Sequence, residues 1–298
     1  MSAQIIDGKK IASEIKSELK PRIEALTQKG ATPFLTAVLV GNDPASEQYV
    51  RMKAKACSRI GIKSKVINMP ENTPEDELLE LVGELNNDTE VHGILVQLPL
   101  PEHIDQLKIN LAMRTDKDVD GFHPVNLGRL MLGKPLFSPA TPLGILELLN
   151  RSGNNPGGKH TVVLGRGDLV GRPFSVLASL KEINANSTVT ICHSGTKNIG
   201  DYIKQADILI CAMGRPEMIT GEMLKPGVVI IDAGTSAVDD PSAKKGYRIA
   251  GDVHFESAKE VAGFITPVPG GVGPMTIAML LSNTVDAAER LAENHDGS

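Results

Sequence analysis

The chain of 298 residues has little of several features that mark specialised classes of protein. It has three cysteines and no tryptophan, and aromatic residues make up 3% of it. Three scattered cysteines are too few for a disulfide framework or a zinc site, so we expect no metal. Scarce aromatic rings argue against a stacking platform for single-stranded nucleic acid. Because no apolar run approaches the roughly 18 residues of a membrane helix and the start lacks the apolar core of a signal peptide, we expect a cytoplasmic protein.

The charge balance and the composition are those of an ordinary globular protein. Lys and Arg number 31 against 36 Asp and Glu, which gives a net charge of −5 and excludes a strongly basic nucleic-acid binder. Hydrophobic residues make up 41% and charged residues 22%. At roughly 100–200 residues per domain, the length predicts about two domains. We expect neither a nucleic acid nor a membrane as a partner.

Short apolar runs alternate with helical patterns along the chain. Residues 35–41, LTAVLVG, form an apolar run that ends in glycine, which is typical of a buried strand, and a helix is predicted from about Pro44 to Ile60. This alternation predicts an α/β protein with parallel sheets. The stretch 121–142 contains Gly and Pro and interrupts the alternation, so we place the connection between the domains there. Further strand-like runs lie at 65–69, 93–98, 161–165, 188–192, 207–213 and 228–232.

A glycine-rich turn follows one of these strands. In 161–173, TVVLGRGDLVGRP, an apolar run leads directly to Gly165, Gly167 and Gly171, and a helix-compatible stretch follows. In a Rossmann unit such glycines let the backbone approach a pyrophosphate that lies at the N-terminus of the helix. The pattern predicts a dinucleotide site, and an ordinary tight turn between strand and helix is the alternative.

The end of the next strand bears on the choice of cofactor. A site for NAD usually has an acidic residue there, which binds the ribose 2′-hydroxyl, but no acid follows this strand before Asp201. The polar side chains present in its place are those of His193, Ser194, Thr196 and Lys197. With Arg166 reaching across from the glycine-rich turn, they could accept a 2′-phosphate. This favours NADP over NAD.

Several polar residues in the first half of the chain have side chains that could take part in catalysis or bind a ligand. Ser46, Tyr49 and Lys53 have spacings of three and four, which place them on one face of a helix. Such a Tyr–Lys pair is often surface packing, and it also matches short-chain dehydrogenases, but their glycine-rich turn precedes the pair whereas here it follows. Gln97 lies at the carboxyl end of a predicted strand, where open α/β sheets bind ligands.

Two further segments are irregular in sequence. Asp118 and Asp120 lie in an acidic, turn-like stretch at 116–124. Residues 266–276, TPVPGGVGPMT, contain three glycines and three prolines in eleven residues. We predict that this second segment is neither helix nor regular strand, and that its backbone can approach a ligand closely or serve as a rigid linker.

Taken together, these segments resemble the bifunctional methylenetetrahydrofolate dehydrogenase/methenyltetrahydrofolate cyclohydrolase (FolD) family, over nearly the whole chain and in the family's order. The matching stretches are 46-SEQYVRMKAKAC-57, 94-ILVQLPLP-101, 117-KDVDGFHPVNLGRL-130, 138-SPATPLGI-145, 163-VLGRGDLVGRP-173, 190-TICHSGT-196 and 267-PVPGGVGPMT-276.

The resemblance implies an activity and an architecture. The family oxidises 5,10-methylenetetrahydrofolate to 5,10-methenyltetrahydrofolate with NADP, and then hydrolyses the product to 10-formyltetrahydrofolate. The expected fold is α/β with two domains and an active-site cleft between them. Residues 1–120, completed by a C-terminal helix at 275–295, would form the folate-binding catalytic domain, and residues 140–270 the Rossmann-type NAD(P)-binding domain. The resemblance also implies a homodimer formed through the Rossmann domains.

The resemblance also assigns catalytic roles. Lys53 would be the general acid/base of the hydrolysis, which requires that burial or a nearby cation lower its pKa from the usual value of about 10.4. Gln97 would orient Lys53, Tyr49 would pack against the folate, and Ser46 would support them. Asp120 would grip the amino-pyrimidine part of the pterin.

The remaining expected site residues line the two ligands. Those expected to line the folate are Val96, Leu98, Pro269, Gly270, Gly271, Val272 and Gly273. Those expected to bind the cofactor are Gly165, Arg166, Gly167, Gly171, Ser194 and Thr235.

Three positions depart from the family's usual pattern. Gly167 stands where Ser is common, Gly195 where a basic residue is frequent, and Thr235 where Ile or Val often follows the late strand. These changes leave open a cyclohydrolase with weak or NAD-preferring dehydrogenase activity as an alternative to the full bifunctional enzyme with NADP. An alternative of another class is a non-catalytic NADP-binding module, in which Lys53 and Gln97 could be exchanged without loss of function.

Overall fold

The computed structural model describes residues 2–243 and 246–296. In chain order its strands are β1 Gln4–Ile5, β2 Phe34–Val40, β3 Lys63–Met69, β4 Gly93–Val96, β5 His160–Leu164, β6 Thr188–Cys192, β7 Ile208–Cys211, β8 Val229–Asp232, β9 Ser236–Asp239, β10 Tyr247–Ala250 and β11 Phe264–Ile265. The helices are α1 Gly8–Gln28, α2 Pro44–Ile60, α3 Glu75–Asn87, α4 Gln106–Ala112, α5 Pro124–Met131, α6 Ala140–Arg151, α7 Gly171–Ser179, α8 Ile199–Ile203, α9 Phe255–Ala258 and α10 Val272–Asp296.

The chain forms two compact units, which we name after their larger sheets. The six-stranded unit comprises Met1–Ala12 and Thr141–Thr276, and the three-stranded unit comprises Ser13–Ala140 and Ile277–Ser298. Among the described residues, the helices lack the combination of length and apolar character that crossing a membrane would require.

In the three-stranded unit, β2 lies between β3 and β4, and all pairs are parallel. A central parallel strand is covered on both faces, which explains why β2 is a nearly continuous apolar run. Helix α2 packs on this sheet. Asp43 caps its N-terminus by accepting a hydrogen bond from the Ser46 N–H at 2.7 Å, and Gly61 ends it with a left-handed backbone conformation. The buried residues of α2 follow helical spacing and are Ser46, Val50, Lys53, Cys57 and Ile60.

The C-terminal half of α10 is held within the three-stranded unit by polar contacts. Arg22 on α1 donates hydrogen bonds to Asp286 at 2.6 Å and to Glu289 at 2.9 Å. The buried Asn283 side chain donates to the carbonyl oxygens of Val119 at 2.8 Å and Ser138 at 3.0 Å. Residues from the end of the chain therefore fix the backbone of the acidic segment that contains Asp118 and Asp120.

In the six-stranded unit, the strand order is β1-β11-β8-β7-β5-β6, and every pair is parallel. Val162, Leu209 and Ile230, one from each of three neighbouring strands, are completely buried in its core. Together with the three-stranded unit, this sheet confirms the predicted α/β fold with parallel strands. Strands β9 and β10 pair antiparallel as a separate hairpin, which the alternation of apolar runs did not predict.

The structure corrects one expectation about the segment 266–276. The prediction that none of it is helical is wrong, because α10 begins at Val272 and includes Pro274 in its first turn. Proline is tolerated there, since the first N–H groups of a helix have no partner within the helix. Helix α5 begins with Pro124 inside the predicted connection at 121–142, where the sequence patterns indicate no helix.

Candidate active site

A buried lysine is the centre of the polar cluster in the three-stranded unit. Lys53 points from the buried face of α2 and is 8% exposed. Its Nζ donates a hydrogen bond to Gln97 Oε1 at 3.0 Å. The Gln97 amide nitrogen donates to the Leu98 carbonyl oxygen at 2.7 Å, which leaves the amide oxygen directed at Lys53. The structure thus brings together the predicted general acid/base and the residue predicted to orient it.

The acidic segment reaches the same place because it runs beside β4. The Ile94 N–H donates to the Lys117 carbonyl oxygen at 2.8 Å, and Ile94 and Asp118 form an isolated parallel bridge. Lys117 is 2% exposed, and its Nζ caps carbonyl oxygens at and just beyond the end of α3. Asp120 lies in a turn two residues after this bridge, and Gln97 directly follows β4. Parallel alignment therefore delivers both side chains to the carboxyl edge of the sheet.

Asp118 closes the turn that holds Asp120. It is 3% exposed and accepts hydrogen bonds from the His123 N–H and the Asn126 side chain, both at 2.8 Å, and from the Phe122 N–H at 3.2 Å. Burial is the main reason that the pKa of Asp118 is raised to about 6, and the donated hydrogen bonds oppose the rise. Asp118 is therefore a structural member of the turn.

In this cluster, burial acts against the charged forms of Lys53 and Asp120, whereas their mutual attraction acts in favour of them. Burial lowers the pKa of Lys53 from its ordinary value, and the nearby Asp120 carboxylate opposes that decrease. Burial likewise raises the pKa of Asp120, and the Lys53 ammonium opposes that rise. Burial also raises the pKa of the neighbouring Cys57 thiol to about 12, which makes this cysteine a buried, inert group.

The other predicted residues of this unit differ in exposure. Tyr49 is 41% exposed, so much of its ring faces solvent on the flank of the face that carries Lys53. Ser46 is buried, and its hydroxyl donates a long hydrogen bond of 3.4 Å to the Leu98 carbonyl oxygen. Val96 is 9% exposed, and Leu98 is partly buried.

The glycine-rich turn of the six-stranded unit requires two of its glycines. Gly165 has a φ of +116°, and a Cβ there would lie 2.1 Å from the Ala212 carbonyl oxygen. A Cβ at Gly171 would lie 2.2 Å from the Gly165 carbonyl oxygen. At Gly167, by contrast, a Cβ would meet no atom of the described residues, its chain neighbours aside, within 4 Å. The turn is therefore tight at its ends and open in its middle, where a phosphate could approach the backbone.

Exposed polar groups lie around this turn. Arg166 Nη1 lies 3.3 Å from His193 Nε2, and His193 Nδ1 accepts a hydrogen bond from the Gly195 N–H at 3.0 Å. Ser194 and Thr235 are exposed at the ends of β6 and β8, respectively. The structure thus brings Arg166 to the end of β6, as the sequence predicted.

The predicted folate-lining loop lies in the same unit, with its backbone close to the start of α1. A Cβ at Gly8 would lie 1.9 Å from the Gly271 carbonyl oxygen, so this approach requires glycine. Gly270 has a φ of +120°, and the Lys9 side chain passes beside it. Pro269 is exposed, Gly271 and Val272 are buried, and Gly273 is partly buried within the first turn of α10.

Sequence reasoning did not identify Asp252, which organises a loop at the carboxyl edge of the large sheet. Asp252 is completely buried, and its carboxylate accepts hydrogen bonds from the N–H groups of Met213 at 2.6 Å, Gly214 at 3.3 Å and Arg215 at 2.7 Å. A second buried acid, Asp232, accepts from the Asp252 N–H at 3.0 Å. The adjacent pair Gly251–Asp252 gives little indication of this role in the sequence, because the N–H groups that donate to the carboxylate lie almost 40 residues away in the chain.

Two family models match separate parts of the chain. Residues 6–120 match the catalytic domain of tetrahydrofolate dehydrogenase/cyclohydrolase, and residues 139–292 match its NAD(P)-binding domain. The chain belongs to the tetrahydrofolate dehydrogenase/cyclohydrolase family. This membership agrees with the resemblance drawn from the sequence motifs.

Individual members of the tetrahydrofolate dehydrogenase/cyclohydrolase family are similar over nearly their whole length. The bifunctional protein FolD of Chlorobium chlorochromatii is 54% identical, over 96% of this chain and 98% of the relative. The crystal structure of the bifunctional enzyme FolD from Campylobacter jejuni is 45% identical with a TM-score of 0.91, over 97% and 99% of the two chains. The Trypanosoma brucei enzyme, solved with NADP cofactor and an inhibitor, is 40% identical with a TM-score of 0.92, over 97% and 98%.

Proposed function

We propose that this chain is a bifunctional enzyme of one-carbon metabolism. It oxidises 5,10-methylenetetrahydrofolate to 5,10-methenyltetrahydrofolate with NADP and then hydrolyses the methenyl bridge to give 10-formyltetrahydrofolate. The observation that carries the proposal is the partly buried hydrogen bond of 3.0 Å between Lys53 Nζ and Gln97 Oε1, beside Asp120. Family membership over both units supports it.

Hydrolysis needs a group that can take and return a proton near neutral pH. Water attacks a cationic carbon, loses a proton, and a ring nitrogen must then be released. An ordinary lysine is fully protonated at that pH, but burial lowers the pKa of Lys53, so its amine can act as the base. A cationic substrate beside the amine would lower this pKa further. Gln97 keeps the amine in place through its amide oxygen.

The same cluster can hold the folate. Asp120 offers two carboxylate oxygens that match the paired N–H groups of an amino-pyrimidine ring. Tyr49 offers a half-exposed ring against which a flat pterin can pack. Ser46, Val96 and Leu98 support these groups. The assignment of residues 269–273 to the folate stays a prediction.

The residues of the six-stranded unit fit a dinucleotide. The open middle of the glycine-rich turn admits a phosphate, which Gly165, Arg166 and Gly167 would hold, while Gly171 starts the helix behind it. Ser194 would contact the 2′-phosphate, and Thr235 would line the site. When bound, NADP supplies the acceptor for the hydride, and the protein's contribution is to position and orient the cofactor.

Two further properties are part of the proposal. We propose that the enzyme is cytoplasmic and forms a homodimer through the six-stranded unit. Light scattering on the purified protein measures the mass in solution, and a monomer at micromolar concentration would contradict the dimer.

The test separates the two activities by absorbance. Methylenetetrahydrofolate is supplied with NADP and, in parallel, with NAD, to the wild type and to Lys53→Met. We expect the variant to accumulate the methenyl product, because its hydrolysis falls about 100- to 10,000-fold while oxidation continues. The matched control is Lys55→Met, since Lys55 is an exposed lysine on the same helix. Its hydrolysis rate should equal that of the wild type.

Other results would favour other functions. Hydrolysis of added methenyltetrahydrofolate without oxidation by either cofactor would indicate a cyclohydrolase that has lost its dehydrogenase. Faster oxidation with NAD would indicate an NAD-preferring enzyme. If exchange of Lys53 or Gln97 left both rates unchanged, the chain would be a non-catalytic NADP-binding module.

A further inference from the structure

The Asp120 carboxylate has no hydrogen-bond donor in the protein that fixes its direction. Within residues 2–243 and 246–296, no N–H or O–H group donates to it, although the Lys53 ammonium attracts it. A carboxylate that binds paired N–H groups must direct both of its oxygens at them. The backbone on either side of Asp120 therefore has to set the direction of this side chain.

The residue before Asp120 is held by a side chain from the other end of the chain. Asn283 on α10 is 3% exposed, and its Nδ2 donates to the Val119 carbonyl oxygen at 2.8 Å and to the Ser138 carbonyl oxygen at 3.0 Å. An asparagine NH₂ group has two hydrogens to donate, so both are used here. The amide thus joins the turn that contains Asp120 to the backbone at Ser138.

The residue after Asp120 packs on the same stretch of backbone. Gly121 has a φ of +79°, and a Cβ there would lie 2.7 Å from the Pro139 nitrogen and 2.8 Å from the Ser138 carbonyl carbon. The turn therefore lies directly against these two residues, one of which also accepts the Asn283 amide. Both chain neighbours of Asp120 are fixed, while its carboxylate stays available to a ligand.

An asparagine at position 283 does not help to form the helix that carries it. Residue 283 lies near the middle of α10, which has 25 residues, and asparagine is less favourable than alanine or leucine in a helix interior. Its neighbours on the buried face, Leu280 and Ala287, are apolar and at most 1% exposed. The hydrogen bonds of the amide, and not helix formation, therefore account for a polar residue at this position.

We propose that Asn283 is a positioning residue for the folate, and that it holds the Asp120 carboxylate in the direction that the amino-pyrimidine ring requires. The inference rests on the proposed function, in which Asp120 binds that ring. Asn283 acts through the backbone of the turn. The C-terminal helix thereby takes part in recognition of the substrate.

The test compares Asn283→Ala and Asn283→Ser with the wild type in the NADP-dependent oxidation of methylenetetrahydrofolate. In Asn283→Ala two carbonyl oxygens lose their donor and the turn shifts. We expect the KM for methylenetetrahydrofolate to rise about tenfold and kcat to change less than about twofold. Asn283→Ser keeps one hydroxyl donor and should show a smaller rise. A mere loss of folded enzyme would lower the apparent kcat and leave KM unchanged.

The matched control is Asn150→Ala in the six-stranded unit. The Asn150 side chain also donates to two carbonyl oxygens, those of Leu146 and Asn184, both at 3.0 Å. This variant therefore loses the same kind of contact at a place remote in sequence from Asp120. Its KM for methylenetetrahydrofolate should equal that of the wild type.

A double-mutant cycle with Asp120→Asn tests how the effect reaches the substrate. If Asn283 acts through Asp120, Asn283→Ala should raise KM less than about twofold when Asp120 is already replaced. An equal rise in both backgrounds would show that Asn283 acts independently of Asp120 and would overturn the inference. Unchanged KM in Asn283→Ala and Asn283→Ser would overturn it as well.

Calorimetric titration with tetrahydrofolate and with NADP separates the inference from the function beneath it. Asn283→Ala should bind tetrahydrofolate about tenfold more weakly than the wild type and bind NADP equally well. If the wild type neither bound tetrahydrofolate nor oxidised methylenetetrahydrofolate, the proposed function would fail, and the inference with it. If the wild type did both and Asn283→Ala bound tetrahydrofolate as tightly, the positioning role alone would fail.

Discussion

In the three-stranded unit the candidate site consists of side chains, whereas in the six-stranded unit it consists largely of backbone. Lys53, Gln97 and Asp120 owe their chemistry to burial and to one another. The glycine-rich turn owes its shape to Gly165 and Gly171, where a side chain does not fit. We therefore expect the site in the three-stranded unit to lose a reaction step when one of its side chains is replaced. The glycine-rich turn of the six-stranded unit should lose its shape when a side chain is added at Gly165 or Gly171.

The largest expected effect comes from adding a single methyl group to the second site. In Gly165→Ala the Cβ would collide with the Ala212 carbonyl oxygen, at a φ of +116° that an alanine rarely adopts. We expect the free energy of unfolding to fall by about 3 kcal/mol and NADP binding to weaken greatly. Thermal and urea denaturation of the purified variant, followed by calorimetric titration with NADP, measure both.

The matched control is Gly167→Ala in the same turn. A Cβ there meets no atom of the described residues, its chain neighbours aside, within 4 Å. The folded protein should therefore be as stable as the wild type. If both alanine variants were equally stable, the turn would be more plastic than its backbone contacts indicate, and the contrast between the two sites would weaken.

A smaller effect is expected at Asp252, whose side chain holds the backbone of the loop 213–215 in the six-stranded unit. In Asp252→Asn one of the two carboxylate oxygens becomes an amide nitrogen that faces an N–H donor of the loop 213–215. We expect a loss of about 2 kcal/mol of stability, because a buried donor loses its acceptor. Urea denaturation measures the loss. Asp168→Asn is the control, since that carboxylate forms an exposed ion pair with Arg172, and it should leave the midpoint unchanged.

The same contrast explains how much of the molecule could be predicted from its sequence. Strand β2 was predictable because burial on both faces of a sheet leaves a nearly continuous apolar run. Helix α2 was predictable because burial of one helix face leaves a periodic apolar pattern. The hairpin β9–β10 was not, because its strands are largely exposed and lack an apolar run. Helix α5 was not predictable either, because it begins with a proline inside a stretch whose Gly and Pro residues indicate a connection between domains.

The side-chain site was predictable for a related reason. Lys53 stands on a recognisable helix, and Gln97 ends a recognisable strand, so the topology of a parallel sheet brings them to one edge. The contacts of Asp252 depend on backbone N–H groups, and any residue except proline provides one. Residue identity therefore carries little information about such contacts.

The smallest expected effect is a shift in pH dependence that tests the coupling inside the side-chain site. The kcat of hydrolysis should rise as pH increases through the pKa of Lys53, because the neutral amine is the base. The Asp120 carboxylate raises that pKa against the effect of burial, so Asp120→Asn should lower it further. The rising limb of kcat at saturating methenyltetrahydrofolate should then move to lower pH, although the variant binds folate less tightly.

Asp116→Asn is the control, because it alters only an exposed ion pair with Arg114 near the start of the same segment, and it should leave the limb where it is. A limb that moved to higher pH in Asp120→Asn would mean that the base is not Lys53, since removal of a nearby negative charge cannot raise the pKa of an ammonium group.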